Sequence, residues 1–257
     1  MKIVIHTGTN AQAEPYAQLM FKSAQQLANN PQHIEQRRHV INDDARGSNG
    51  HGLWLKEAFE QIVASIDTIH IICDADVVFL HPGWDDDLCQ LFLCEGISCL
   101  ATSYEKIGGP STGQGTVQTY KGRPNVTFIA FAPYVDMLKF DPSHQKHQHM
   151  KIVTEEQSVT FGIPVGYELF RDTAWELPDY LRKHGWLDTS RVMIHERENP
   201  QILTKDICGY CEEFVWEDKP FIAHQRGTSS KKFNVDPVSK LFVKACEDHL
   251  DKINDCT

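Results

Sequence analysis

Apolar and polar positions change rhythm several times along the chain, and each rhythm points to an element. The opening "KIVIHTG" is short and mostly apolar, the pattern of a buried strand. "AEPYAQLMFKSAQQLANN" follows with helical spacing, and Pro15 stands near the first turn, where a helix tolerates it. "IEQRRHVIND" is a second strand that ends in acids, "GLWLKEAFEQIVASI" a second helix, and "IHIIC" a third strand. The order βαβαβ predicts an α/β fold whose mainly parallel central sheet is flanked by helices.

Farther along, "PGWDDDLCQLFL" reads as a helix with Pro82 at its start and acids in its first turn, where the helix dipole favours them. "GISCLAT" and "NVTFIAFAP" are strands. Between them "SYEKIGGPSTGQGTVQTYKGRP" is too polar for a core and reads as a long loop over a site. "TEEQSVTFG" reads as a helix, and "AWELPDYLRKHGW" as a helical patch interrupted by Pro178. No repeat or linker divides the chain. It reads as one domain over 1–257, with a nucleotide-type half over 1–103 and a more irregular half over 104–257.

Composition narrows the function classes. The 257 residues carry a formal net charge of -10, which lacks the Lys/Arg surplus that nucleic-acid binding requires. No apolar run approaches the roughly 20 residues that span a bilayer, and "MKIVIHTGTN" turns polar too soon for a signal peptide, so a cytoplasmic location is expected. Most of the eight cysteines lie in apolar segments, as small hydrophobes do in a reducing compartment. "CGYC" has no second pair of matching spacing to make a zinc ribbon, and "HQKHQH" reads as an exposed segment. Neither a G-x-G-x-x-G nor a P-loop sequence is present.

The chemistry concentrates in "IHIICDADVVFLHPGW", where Asp74 and Asp76 stand one residue apart in an apolar stretch. Burying carboxylates without partners is costly, so the pair is either solvated at a strand end or neutralised by a cation. In a parallel sheet ligands gather beyond the carboxyl ends of the strands, which is where these acids fall. Such a pair can present oxygens to one Mg²⁺ or Mn²⁺ ion, which would bridge nucleotide phosphates. Thr7 and Asn10 after the first strand, and Asp43 or Asp44 after the second, stand where a base and ribose would be read. Ser48 and His51 reach either the nucleotide or, as a cap, the following helix.

"GSNGHGLWLKEAF", "CDADVVFLHPGWDDDL", "FRDTAWEL" and "AHQRGTSS" together resemble segments of the GT-A-fold glycosyltransferases, which hold a metal and a nucleotide-sugar on an Asp-x-Asp motif. The resemblance implies a GT-A-like fold and a metal-dependent glycosyltransferase, using a UDP- or GDP-sugar and a hydroxyl acceptor such as a glycan. It makes 1–103 the nucleotide-sugar-binding half and 104–257 the acceptor-binding half. It implies that Asp76 binds the metal directly and that Asp74 reaches it through water, or holds the ribose. His224, in "FIAHQRG", matches the late histidine that such enzymes add as a further metal ligand.

Inverting transfer needs a base within reach of the acceptor hydroxyl. Glu155 and Glu156 resemble its placement in inverting members, with Glu156 preferred and Asp172 as the rival; a retaining enzyme stays open. Arg226, Lys231 and Lys232 can face a diphosphate, and Tyr120, Trp175 and Trp186 can stack on a sugar. Two other functions fit parts of the pattern. A nucleotidyltransferase of similar architecture would carry a Gly-rich, Lys-bearing loop after its first strand, and "HTGTNAQAEPY" has no Lys or Arg. A nucleotide- or glycan-binding protein without catalysis would keep the site and lack the base. A phosphohydrolase fits less well, since its Asp-x-Asp usually follows the first strand.

Overall fold

A computed structural model describes residues 1–41, 48–103, 116–117, 124–142, 149–151, 154–156, 159, 165, 168–170, 174, 176–186, 193–196, 211–225 and 237–254. Its opening is β1 (Lys2–Thr9), α1 (Glu14–Leu27), β2 (Ile34–Val40), α2 (Ser48–Phe59) and β3 (Thr68–Cys73), the βαβαβ order expected from the sequence. β4 (Val77–Phe79), α3 (Trp84–Cys94), β5 (Cys99–Ser103), β6 (Thr116–Val117) and β7 (Pro124–Phe131) follow. The remainder is β8 (His149–Lys151), β9 (Glu168–Phe170), α4 (Leu177–Lys183), β10 (Met193–Glu196), β11 (Cys211–Trp216), β12 (Lys219–Gln225) and α5 (Pro237–Asn254).

The main sheet has the order β2-β1-β3-β7-β5-β10-β11-β12-β4, and β6-β9-β8 form a small second sheet. β1 pairs in parallel with β2 and β3, and β5 with β10, while β7, β11 and β4 run against their neighbours. The result is a mixed sheet in which most strands share one direction, flanked by helices. β3 and β4 are far apart in strand order but only three residues apart in sequence. An extended chain of that length spans about 14 Å, so the sheet must curl until its β4 end returns to β3. Asp74, Ala75 and Asp76 form the bridge.

α1 secures this curl. Its buried face, including Leu19, Met20, Ser23, Ala24 and Leu27, has the three-and-four spacing of an amphipathic helix. Ser23 Oγ donates to the Met20 carbonyl at 2.7 Å and accepts from the Phe79 amide of β4 at 3.0 Å. The fully buried Trp84 donates its indole N–H to the Ala24 carbonyl at 2.9 Å and packs on Phe79, with ring centres 4.6 Å apart. The acids that open α3 also have a tertiary task. Buried Asp85 accepts from the Asn29 and Asn30 amides, both at 2.9 Å, and so fixes the turn between α1 and β2.

Three boundaries differ from the sequence pattern. α2 ends at Phe59 rather than near Ile66, because the Met137 amide takes the Ile62 carbonyl and the Ser65 amide takes the Pro133 carbonyl, drawing the chain onto the segment after β7. Pro82 precedes α3 rather than starting it, since Gly83, at φ 75°, is the N-cap. Pro178 does not interrupt a helix; it stands in the first turn of α4. Most of the long polar segment after β5 lies outside the described residues, except that Thr116 and Val117 pair with β9. Among the described residues no helix is long and apolar enough to cross a membrane, and Cys73, Cys89, Cys94, Cys99 and Cys246 are free thiols.

A buried histidine chain crosses the parallel strands. His6 Nδ1 lies 3.1 Å from His39 Nε2, and His6 Nε2 lies 3.0 Å from His70 Nδ1. Burial, followed by the neighbouring His70 and His39, pushes His6 down to about 2, and burial with Arg37 nearby pushes His70 down to about 4. Both rings are neutral when folded but charge below their ordinary 6.5 once unfolded. Their contribution is therefore complete above about pH 6.5 and is lost as the pH falls, at about 1.4 kcal/mol per pH unit for each ring. Chemical denaturation between pH 6 and pH 4.5 should show stability falling with uptake of about two protons on unfolding from this pair. His70→Gln should remove about half of that slope.

The β11–β12 hairpin turns through Glu217 and Asp218 at φ 50° and 64°, the left-handed region that Asn-Gly occupies without strain. Replacing the pair with Asn-Gly should raise stability by about 1–2 kcal/mol, read as a higher denaturation midpoint.

Candidate functional site

The Asp74–Asp76 bridge leaves the carboxyl end of β3, and β4 then pairs antiparallel with β12, setting Val77 opposite His224. The Gln225 amide donates to the Asp76 carbonyl at 3.0 Å and the Asp74 amide to the Thr127 carbonyl at 3.0 Å, so backbone bonds fix both acids. Donor atoms of Asp74, Asp76 and His224 all lie within 4.8 Å of one another. His224 Nε2 is 3.4 Å from Asp76 Oδ1 and 3.9 Å from Asp74 Oδ2. The side chains of Asp74 and Asp76 are 21% and 13% exposed, so both are sheltered without being sealed from solvent.

Behind His224, Glu212 of β11 stands directly opposite in the hairpin, and its Oε2 is 3.0 Å from His224 Nδ1. Burial alone would discourage charge on this ring, but Asp76 and then Glu212 outweigh it and push His224 up to about 10. The resulting imidazolium balances part of the negative charge of the surrounding carboxylates. Once its Nε2 proton is displaced, the imidazole joins the two carboxylates in a donor set that fits a divalent cation such as Mn²⁺.

The other sequence candidates fall in several places. His51, in α2, has its Nε2 3.4 Å from Asp74 Oδ1, and its ring lies parallel to that of Trp54, 5.4 Å away between centres. Thr7 is fully buried in β1, with an Oγ1 that makes no hydrogen bond. It follows His6, which pairs with Ile72, and so lies beside the strand end that leads to Asp74. Asn10 caps the approach to α1, its Oδ1 accepting from the Gln12 amide at 3.0 Å and the Ala13 amide at 2.8 Å. Ala75 packs against Ala13 and Ala17, which brings this end of α1 next to the acidic bridge. Ser48 is the first residue of α2.

Glu155 and Glu156 are exposed on a short helical turn. Trp186 stacks on His184, with ring centres 4.8 Å apart. Asp43, Asp44, Tyr120, Asp172, Trp175, Cys208, Arg226, Lys231 and Lys232 lie outside the described residues, as does most of "HQKHQH".

Glu212, Trp54 and Gly8 are neighbours of the site that the sequence reading did not find. Glu212 could have been found by alternation from His224 had the hairpin been recognised. Trp54 and Gly8 follow ordinary core and turn patterns and carry no signal of their own.

No protein family matches the chain, and no curated protein sequence matches it. Among solved structures, one of S. aureus TarS spanning residues 1–349 is similar, with 11% identity over 66% of this chain and 58% of that one and a TM-score of 0.35. Another S. aureus TarS structure has 11% identity over 45% of this chain and 24% of that one, with a TM-score of 0.28. The chain thus spans less than two thirds of the length of either structure.

Mn²⁺ should raise the melting temperature in a concentration-dependent way, by about 2.7 kcal/mol of added stability at a hundred times its dissociation constant. Asp76→Ala should abolish that rise; calorimetric titration of both proteins checks it.

Proposed function

We propose that the protein is a metal-dependent glycosyltransferase, moving a sugar from a nucleotide-diphosphate donor to a hydroxyl acceptor such as a glycan. The observation that carries this reading is the convergence of Asp74, Asp76 and His224 beyond the carboxyl end of β3. These three residues would hold Mn²⁺ or Mg²⁺. The imidazole favours Mn²⁺, since Mg²⁺ prefers an all-oxygen shell. When bound, the ion would neutralise charge growing on the diphosphate as the glycosidic bond breaks.

The remaining assignments belong to the same reading. Thr7, Asn10, Asp43, Asp44, Ser48 and His51 would be the residues that read the nucleoside of a UDP- or GDP-sugar, with Asp74 on the ribose. The buried Thr7 hydroxyl supports this, because a ligand hydroxyl would satisfy it. Arg226 pairs with the diphosphate. Glu156 or Asp172 takes the proton of the acceptor hydroxyl if transfer inverts. Action in the cytoplasm agrees with free cysteines, several of them buried and held as thiols by burial.

The test is thermal stability against UDP, GDP, CMP, ADP and dTDP, each with and without Mn²⁺, on the wild type and on Asp76→Ala. One nucleotide should give a Mn²⁺-dependent rise that the variant loses. Absence of any rise overturns the donor site. Where a nucleotide binds, turnover of the matching nucleotide-sugar with acceptor or water separates an enzyme from a binding protein, and pyrophosphate release from a nucleoside triphosphate would instead indicate a nucleotidyltransferase.

A further inference from the structure

Two of the three cation donors are held by side chains outside the donor set. We propose that Glu212 and His51 are positioning residues that preset His224 and Asp74 for the cation, with Trp54, seated on Gly8, as the support of His51. This inference rests on the cation reading of the site given above.

Glu212 acts on the imidazole. An ionised carboxylate only accepts, so its contact with Nδ1 at 3.0 Å keeps the hydrogen on that nitrogen and turns Nε2 toward Asp74 and Asp76. Both side chains are 9% exposed, and the antiparallel register sets them opposite each other, so the contact is built into the hairpin. A metal-facing histidine held by a carboxylate at its other nitrogen has a fixed tautomer and a more basic donor atom.

His51 acts on Asp74. The two carboxylate oxygens have partners on opposite sides, Oδ1 facing His51 Nε2 at 3.4 Å and Oδ2 facing His224 Nε2 at 3.9 Å. His51 Nε2 is out of solvent and faces Oδ1, so the seating of this ring limits how far the carboxylate can rotate.

The His51 ring is itself held. It lies 8° from the plane of the Trp54 indole, and His39 stacks against the same indole with centres 6.2 Å apart. His39 is in turn anchored to His6 at 3.1 Å. A Cβ added at Gly8 would come within 2.3 Å of the Trp54 ring, so β1 offers the indole a seat that only glycine leaves open. The layers β1, Trp54 and His51 thereby carry rigidity from the core to Asp74.

The experiment is Mn²⁺ titration of the full chain without nucleotide, followed by the electron paramagnetic resonance of free Mn²⁺, with a melting curve for each protein. Glu212→Gln keeps an oxygen for Nδ1–H but loses the charge, and should weaken Mn²⁺ binding about 10-fold with little change in melting. Trp54→Leu should weaken it several-fold, and Trp54→Phe, which keeps a stacking face, should recover most of the loss. Mn²⁺ affinity of folded Glu212→Gln and Trp54→Leu within twofold of wild type, with Asp76→Ala unable to bind, would overturn the positioning roles and leave the cation site standing. Should Trp54→Leu not fold, Glu212→Gln and Trp54→Phe decide: wild-type affinity in the first overturns the role of Glu212, and a loss in the second as large as that of His51→Ala overturns the stacking role of Trp54. No binding by the wild type would remove the cation reading and this inference together.

Discussion

The antiparallel pairing of Val77–Phe79 with Ile222–His224 is the contact on which the site depends. Three residues after β3 the chain has already crossed to the far end of the sheet, and only a curled sheet permits that. The closure brings a strand from the first third of the sequence beside one from its last fifth. It also makes Asp74–Asp76 a strap held at its two ends by backbone bonds to Thr127 and Gln225.

Such a strap concentrates negative charge. Asp74, Asp76 and Glu212 surround one imidazole in a sheltered setting, where like charges repel strongly and partners are required. The charge on His224 follows from this crowding, since the ring is pushed up against the opposing effect of burial. A donor set with this balance suits a cation better than an anion. The chemistry of the site and the stability of the strap are therefore one electrostatic problem.

In the histidine chain the same crowding logic gives the opposite outcome. His6 and His70 are pushed down by burial and then by neighbouring rings and cations, so both stay neutral, and ring-nitrogen contacts join them to each other and to His39. Trp54 joins this neutral chain to the charged strap through His51. His224 and the pair His6 and His70 are thus pushed in opposite directions, and their surroundings account for the difference.

Much of the first half was legible in the sequence, because its signals are local. Strand runs such as "KIVIHTG" and "IHIIC", the helical stripe of α1 and the position of the acids at the end of β3 all follow from periodicity and from the rule that ligands gather at strand ends. His224 was legible as the end of a short apolar strand. The β11–β12 hairpin was not, since Glu217–Asp218 carries none of the Asn-Gly signature, and Glu212 went unseen with it. The helix α5 and the early end of α2 were also missed, the latter because backbone bonds to distant Pro133 and Met137 decided it. The sequence by itself determined which residue types were present and their local periods. The tertiary structure decided which of them meet, because the curl of the sheet is set by non-local strand pairing, and pairing between residues about 150 positions apart leaves no trace in the spacing of either segment.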